Sequence, residues 1–135
     1  MARWLLILLV ACGGTGKPAP TPPPKGPPPF DAAALAAELD GELTELARIL
    51  HDHRDDCPRM ASELRALFTK MRATTLRARE AQQDPERARQ LTSAMHAYDS
   101  GAAEREKRID AEFSLDAPCA KDAAVRDVIM TMPTL

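Results

Sequence analysis

Aromatic side chains are scarce in this 135-residue chain, where Trp4, Tyr98 and three Phe make up 4% of the total. So few flat rings neither line a base-stacking platform nor fill the interior of a β-sandwich. A charge excess of one sign is also missing, because 18 Lys and Arg stand against 20 Asp and Glu. No bulk field therefore draws the chain to nucleic acid, and nucleic acid is not an expected partner. Glycine occurs only 6 times and never as a phosphate-cradling loop, and neither a serine elbow nor a His-Glu-x-x-His pattern is found. The chain accordingly reads as a non-enzyme that carries no cofactor. Cysteine is confined to Cys12, Cys57 and Cys119 with no Cys-x-x-Cys, which removes the thioredoxin-like and haem-attachment motifs. The apolar run Trp4–Val10 reaches about 10 Å as a helix, far short of the roughly 20 residues that span a bilayer.

What is abundant is alanine, present 24 times, the strongest helix former. The start of the chain has its own grammar. Met1-Ala2-Arg3 carries one positive charge, the short apolar run follows, and Ala11-Cys12 closes it, as in an export signal. Leu9-Val10-Ala11-Cys12 resembles the lipobox of bacterial lipoproteins. The resemblance implies that the Cys12 thiol receives a diacylglyceryl group, that residues 1–11 are removed, and that the new amine at Cys12 is acylated. Two or three acyl chains anchor durably where one holds only marginally, so the lipid bilayer is the first expected partner. Gly13 after the cysteine, in place of an Asp, favours the outer membrane and its periplasmic face under the enterobacterial sorting rule.

Residues 12–29 then form a tether. Gly13 to Pro29 holds eight of the twelve prolines, which exclude helix and sheet and favour polyproline II. Its seventeen residues reach roughly 50 Å when fully extended. A spacer that holds a folded part off the membrane explains this composition better than a PxxP ligand does.

From residue 30 to 135 the punctuation predicts one all-α domain, an antiparallel four-helix bundle with helices at about 31–55, 58–83, 85–113 and 118–132. Asp31 caps the first helix, whose apolar stripe runs through Leu35, Leu39, Leu43, Leu46, Leu50 and His53. Asp56-Cys57-Pro58 stops that helix and starts the next, which places Met60, Leu64, Leu67, Met71, Thr74 and Ala78 on one face with Phe68 beside it. Asp84-Pro85 and Asp116-Ala117-Pro118 repeat the restart. The third helix carries Leu91, Met95, Tyr98, Ile109 and Phe113, interrupted by Arg105, and the fourth carries Val125, Val128, Ile129 and Met132.

With Cys12 lipidated, Cys57 and Cys119 remain, and in an up-down-up-down bundle they start the two helices that run the same way. A structural disulfide between them would stabilise the fold by roughly 4 kcal/mol in the chain-entropy picture. A free redox pair or a metal site is the alternative, since thiols at helix N-termini ionise more easily.

Two side-chain groups are candidates for function. His51-Asp52-His53-Arg54-Asp55-Asp56 is the richest ligand cluster, with His51 and Asp55 one helical turn apart, so His51, His53 and Asp55 are candidate metal ligands; the plain reading is a polar helix end. Charge also segregates by helix. Residues 31–50 carry five acids against Arg48, a net of −4, while residues 58–83 carry six bases against Glu63 and Glu80, a net of +4. Opposite signs on neighbouring helices set register within a bundle. Alternatively Arg65, Arg72, Arg77 and Arg79 form a face for an acidic envelope protein or an anionic envelope polymer.

Overall fold

The computed structural model describes residues 29–112, 114 and 116–134, and every regular element among them is helical. Helix α1 covers Ala32–Asp52, α2 Cys57–Gln82, α3 Pro85–Met95, α4 Asp99–Glu112 and α5 Ala123–Ile129. A single 3-10 turn, His96–Tyr98, joins α3 to α4, and the backbone stays right-handed helical through it (His96 φ −59°, ψ −23°; Asp99 φ −58°, ψ −36°). These two helices therefore act as one rod, and the chain is an all-α four-helix bundle. In the tightened turn His96 and Asp99 eclipse, and Nδ1 stands 2.7 Å from Oδ2. Residues 1–28, Phe113, Leu115 and Leu135 lie outside the described residues, including Cys12, the signal and nearly all of the tether.

Aspartates start the helices because a short carboxylate accepts from the otherwise unpaired amides of the first turn. Asp31 accepts from Ala34 N at 2.9 Å, Asp56 from Arg59 N at 3.1 Å, and Asp84 from Glu86 N at 2.9 Å and Arg87 N at 3.0 Å. Those amides hold the Asp84 carboxyl below its ordinary pKa, Arg87 more strongly than Glu86. The fourth start departs from expectation. Residues 116–122 make successive tight turns (Ala120 N to Ala117 O, 3.1 Å; Asp122 N to Cys119 O, 3.1 Å), and α5 begins only at Ala123. Its cap is Asp122, accepting from Val125 N at 3.0 Å. Traced backward from Val125, the buried stripe reaches Lys121 and Asp122, so an earlier start would bury charge. Helix α1 likewise stops at Asp52, three residues before the expected end.

Paired positions fix the directions. Glu38 meets Arg77 and Glu42 meets Thr74, so α1 and α2 are antiparallel. Asp40 meets Arg105 and His51 meets Glu112, so α4 runs parallel to α1. Cys57 meets Cys119 and Arg79 meets Thr134, so α5 runs parallel to α2.

The core has two parts. The larger gathers Leu46, Ile49 and Leu50 of α1, Met60, Leu64, Leu67, Phe68 and Met71 of α2, and Cys119, Val125 and Val128. The smaller gathers Leu35, Ala36 and Leu39 with Ala78, Ala81 and Leu91, and Phe30 packs against it. Between them lies a polar layer. Glu42, only 2% exposed, accepts from the Thr74 hydroxyl at 2.8 Å through Oε1, while its Oε2 is buried with no hydrogen-bond partner. The alternating step of the α1 stripe lands on Glu42, and Leu43, expected in that place, is half-buried. Helix α4 buries no side chain fully and leaves a groove of about 800 Å³ beside α1, past Thr44, Ala47, Gly101 and Ala111. The break at Arg105 has a cause, since its Nη1 stands 2.8 Å from Asp40 Oδ1 in a mostly buried ion pair. Opposite charges so close and so little exposed attract strongly.

Candidate functional site

The cations of α2 divide between two faces, and the helical repeat decides which goes where. Lys70 and Arg77 are seven apart and share the face turned to acidic α1. There Arg77 hydrogen-bonds Glu38 and reaches toward the Thr74 hydroxyl at 3.4 Å. That bond holds the Glu38 carboxyl below its ordinary value of 4.5, with Lys70 adding to the effect, and raises Arg77 in turn. Glu45 is lowered in the same way by its hydrogen bond to Arg48. Of the four arginines expected on one partner face, Arg77 is thus turned toward α1 and paired with Glu38 at the bundle surface.

Arg65, Arg72 and Arg79 are also seven apart, two helical turns or about 10 Å per step, and form a straight exposed row. The flanking row at the same spacing is Ser62, Thr69, Leu76 and Gln83, all uncharged. Among the described residues, Arg65 and Arg72 make no ion pair, and Arg79 donates to the Thr134 carbonyl at 2.6 Å. Arg59, six residues before the row, is taken up by Glu63 at 3.5 Å. Leu76 is 57% exposed between Arg72 and Arg79, and Met132 and Pro133 border it across a shallow groove of about 440 Å³. Three delocalised cations that make no ion pair among the described residues, beside exposed Leu76 and with Glu80 the one acid of α2 on that flank, can bind anions.

The structure separates the candidate metal ligands. His51 Nδ1 stands 3.2 Å from Glu112, on α4. His53 Nε2 stands 3.7 Å from Glu63, on α2, and Asp55 is an exposed loop carboxylate 3.9 Å from Arg54. Among the described residues, no three His, Cys, Asp or Glu gather in a way that could hold a metal ion. The cluster that looked dense along the chain divides between α4 at His51, α2 at His53 and solvent at Asp55, because residues 51–55 straddle a helix end.

Cys57 and Cys119 stand at disulfide distance, with Sγ–Sγ 2.08 Å and Cα–Cα 5.3 Å. Cys119 is buried and Cys57 half-buried, which fits a staple better than an exposed redox pair. No helix among the described residues is long and apolar enough to cross a membrane. Sequence reasoning missed the Glu42–Thr74 pair, although the three-four step that defined the α1 stripe also passes through position 42. It also missed the division of the arginines, which the seven-residue spacing of 65, 72 and 79 could have exposed.

No family profile, curated protein or solved structure matches the chain.

Proposed function

We propose that this chain is a small envelope lipoprotein, anchored through acylated Cys12, whose helical bundle works as a non-enzymatic interaction module. The tether of residues 12–29 joins the bundle to that anchor on the periplasmic face of the outer membrane, and its reach of roughly 50 Å when extended leaves the bundle free to turn its docking surface to a partner. The docking surface is the row Arg65, Arg72 and Arg79, and its partner is an anionic component of the envelope. The observation that carries the docking half is that this row is exposed and makes no ion pair among the described residues, while Arg77 of the same helix is paired across to Glu38 of α1. The anchoring half rests on Leu9-Val10-Ala11-Cys12 and on the proline-rich stretch behind it.

Intact mass of the protein extracted from membranes, without reductant, tests the anchor. The expected species lacks residues 1–11, carries two or three acyl chains and is two protons lighter than the dithiol form. A chain that keeps its first eleven residues, or is cut without acylation, would reject the anchor. For the surface, Arg65→Glu, Arg72→Glu and Arg79→Glu together are expected to abolish envelope cross-links that Arg77→Gln leaves in place. Unchanged cross-links in the triple variant would reject the row.

A further inference from the structure

We infer that the partner of the arginine row is the anionic lipid surface itself, so that the bundle lies along the membrane to which it is tied. This deepens the reading above and rests on it for the anchor.

Three features of the structure converge. The first is shape. The row is straight, about 20 Å from Arg65 to Arg79, and lies along the outside of α2, bordered only at its Arg72–Arg79 half by residues 131–134 across a shallow groove. A plane of headgroups meets such a row along its whole length, whereas an acidic protein would need a matching ridge.

The second is composition. Leu76 sits between Arg72 and Arg79 at helical spacing, 57% exposed, with Met132 alongside at 38%. Cations that reach headgroup phosphates, flanking apolar side chains that enter the acyl boundary, make an interfacial helix face. The neighbouring positions Ser62, Thr69 and Gln83 add no negative charge, and Glu80 beside Arg79 is the one acid of α2 on that flank, outnumbered by the three arginines.

The third is position. Phe30, where the tether joins, packs on the core that contains Ala78 and Ala81, so the chain enters the bundle at the Arg79 end of α2. Helix α2 is 26 residues, about 39 Å, and a tether reaching roughly 50 Å lets it lie flat. An anchored row is always near headgroups, so the docking contact can be weak in itself and still be occupied.

Vesicle sedimentation of the full chain tests this. The chain carries Cys12→Ser, which removes any acyl chain, and the two vesicle types are phosphatidylcholine alone and phosphatidylcholine mixed with phosphatidylglycerol. The N-terminal segment binds both types through its apolar run and adds the charge of Arg3, Lys17 and Lys25 equally in every variant, so the readout is the change between variants in the ratio of the two partition coefficients. The expected result is a preference for the anionic vesicles that falls on the order of fivefold for each of Arg65→Gln, Arg72→Gln and Arg79→Gln. Lys107→Gln on α4 is the control and should leave the preference intact. The same preference in the chain with its arginines intact should disappear at about 1 M salt, where the screening length shrinks to about 3 Å. That second measurement involves no arginine substitution and so does not depend on the folding of these variants or of the triple variant that combines all three Arg→Gln changes. Equal partition into both vesicle types would overturn the inference and leave an acidic protein or polymer as the partner. A preference that the triple substitution leaves undiminished in a folded chain would overturn it as well. Acylation of Cys12 is read separately by mass, so loss of the anchor reading and loss of the lipid surface give different results.

Discussion

Glu42 is a carboxylate in a place where leucine would have continued the stripe, and its neighbours show what it costs and what it does. One oxygen accepts from Thr74, the other has no partner, and the two side chains separate an aliphatic core half from an alanine-rich one. Thr74→Val leaves Glu42 with neither oxygen satisfied and is expected to cost about 1–3 kcal/mol. Joining it with Glu42→Leu removes both polar partners and should bring stability back to within about 1 kcal/mol of the parent. Urea unfolding of the two single variants and the pair measures this, and additive losses would show that the two residues do not act as a unit. Every residue expected on the α2 stripe from Met60 to Ala78 is buried, because each is apolar or a threonine, while Ala61 and Thr75 beside it were not foreseen. The α1 stripe was less legible, since hydropathy favours Leu43 over Glu42 and only a facing hydroxyl makes the acid acceptable inside.

Among the elements, three of the four starts could be read from Asp followed by Pro or a helix former, and the fourth could not. Asp56-Cys57-Pro58 and Asp116-Ala117-Pro118 are the same local signal, yet only the first opens a helix at that point. Local chemistry permits both; the second fails because its continuation offers Lys121 and Asp122 to the core. Helix α5 is consequently 7 residues long, too short to hold by itself, and depends on Val125, Val128 and the link from Cys119 to Cys57. The link closes a separation of 62 residues, for which chain entropy predicts about 4 kcal/mol. Reduction should therefore release α5 before α1 and α2 loosen. Hydrogen exchange followed with and without reductant is expected to show early loss of protection at Val128 and Ile129, while Leu64 and Phe68 stay protected. Simultaneous loss at all four positions would mean that the staple supports the whole bundle.

For the molecule as a whole, the opposed charges of α1 and α2 turn out to serve two ends. The sign of each helix was visible in the sequence, and so was its use in pairing them. Which cations pair was not, because Arg77 and Arg79 are neighbours in the chain but about 200° apart around the helix. The same arithmetic yields a contrast between an inward and an outward arginine. Arg77→Gln removes the bond to Glu38; the pair is half exposed (50% and 47%), so after solvent screening the expected loss is about 1 kcal/mol or less and Tm falls by a few degrees. Because Glu38 is held below its ordinary value, its contribution is complete above pH 4.5 and is lost as pH falls through the folded value. The difference between the parent chain and Arg77→Gln should therefore narrow in acid, as Glu38 gains its proton and the parent loses the same bond. Arg72→Gln should leave Tm within the parent's range at both pH values, since Arg72 touches no carboxylate, and should weaken only what the outer face binds. Paired thermal melts near neutrality and in acid separate the two residues. A pH-independent effect of Arg77→Gln, or a comparable loss of Tm in Arg72→Gln, would show that α2 does not divide its charge between holding the bundle together and presenting it to a partner.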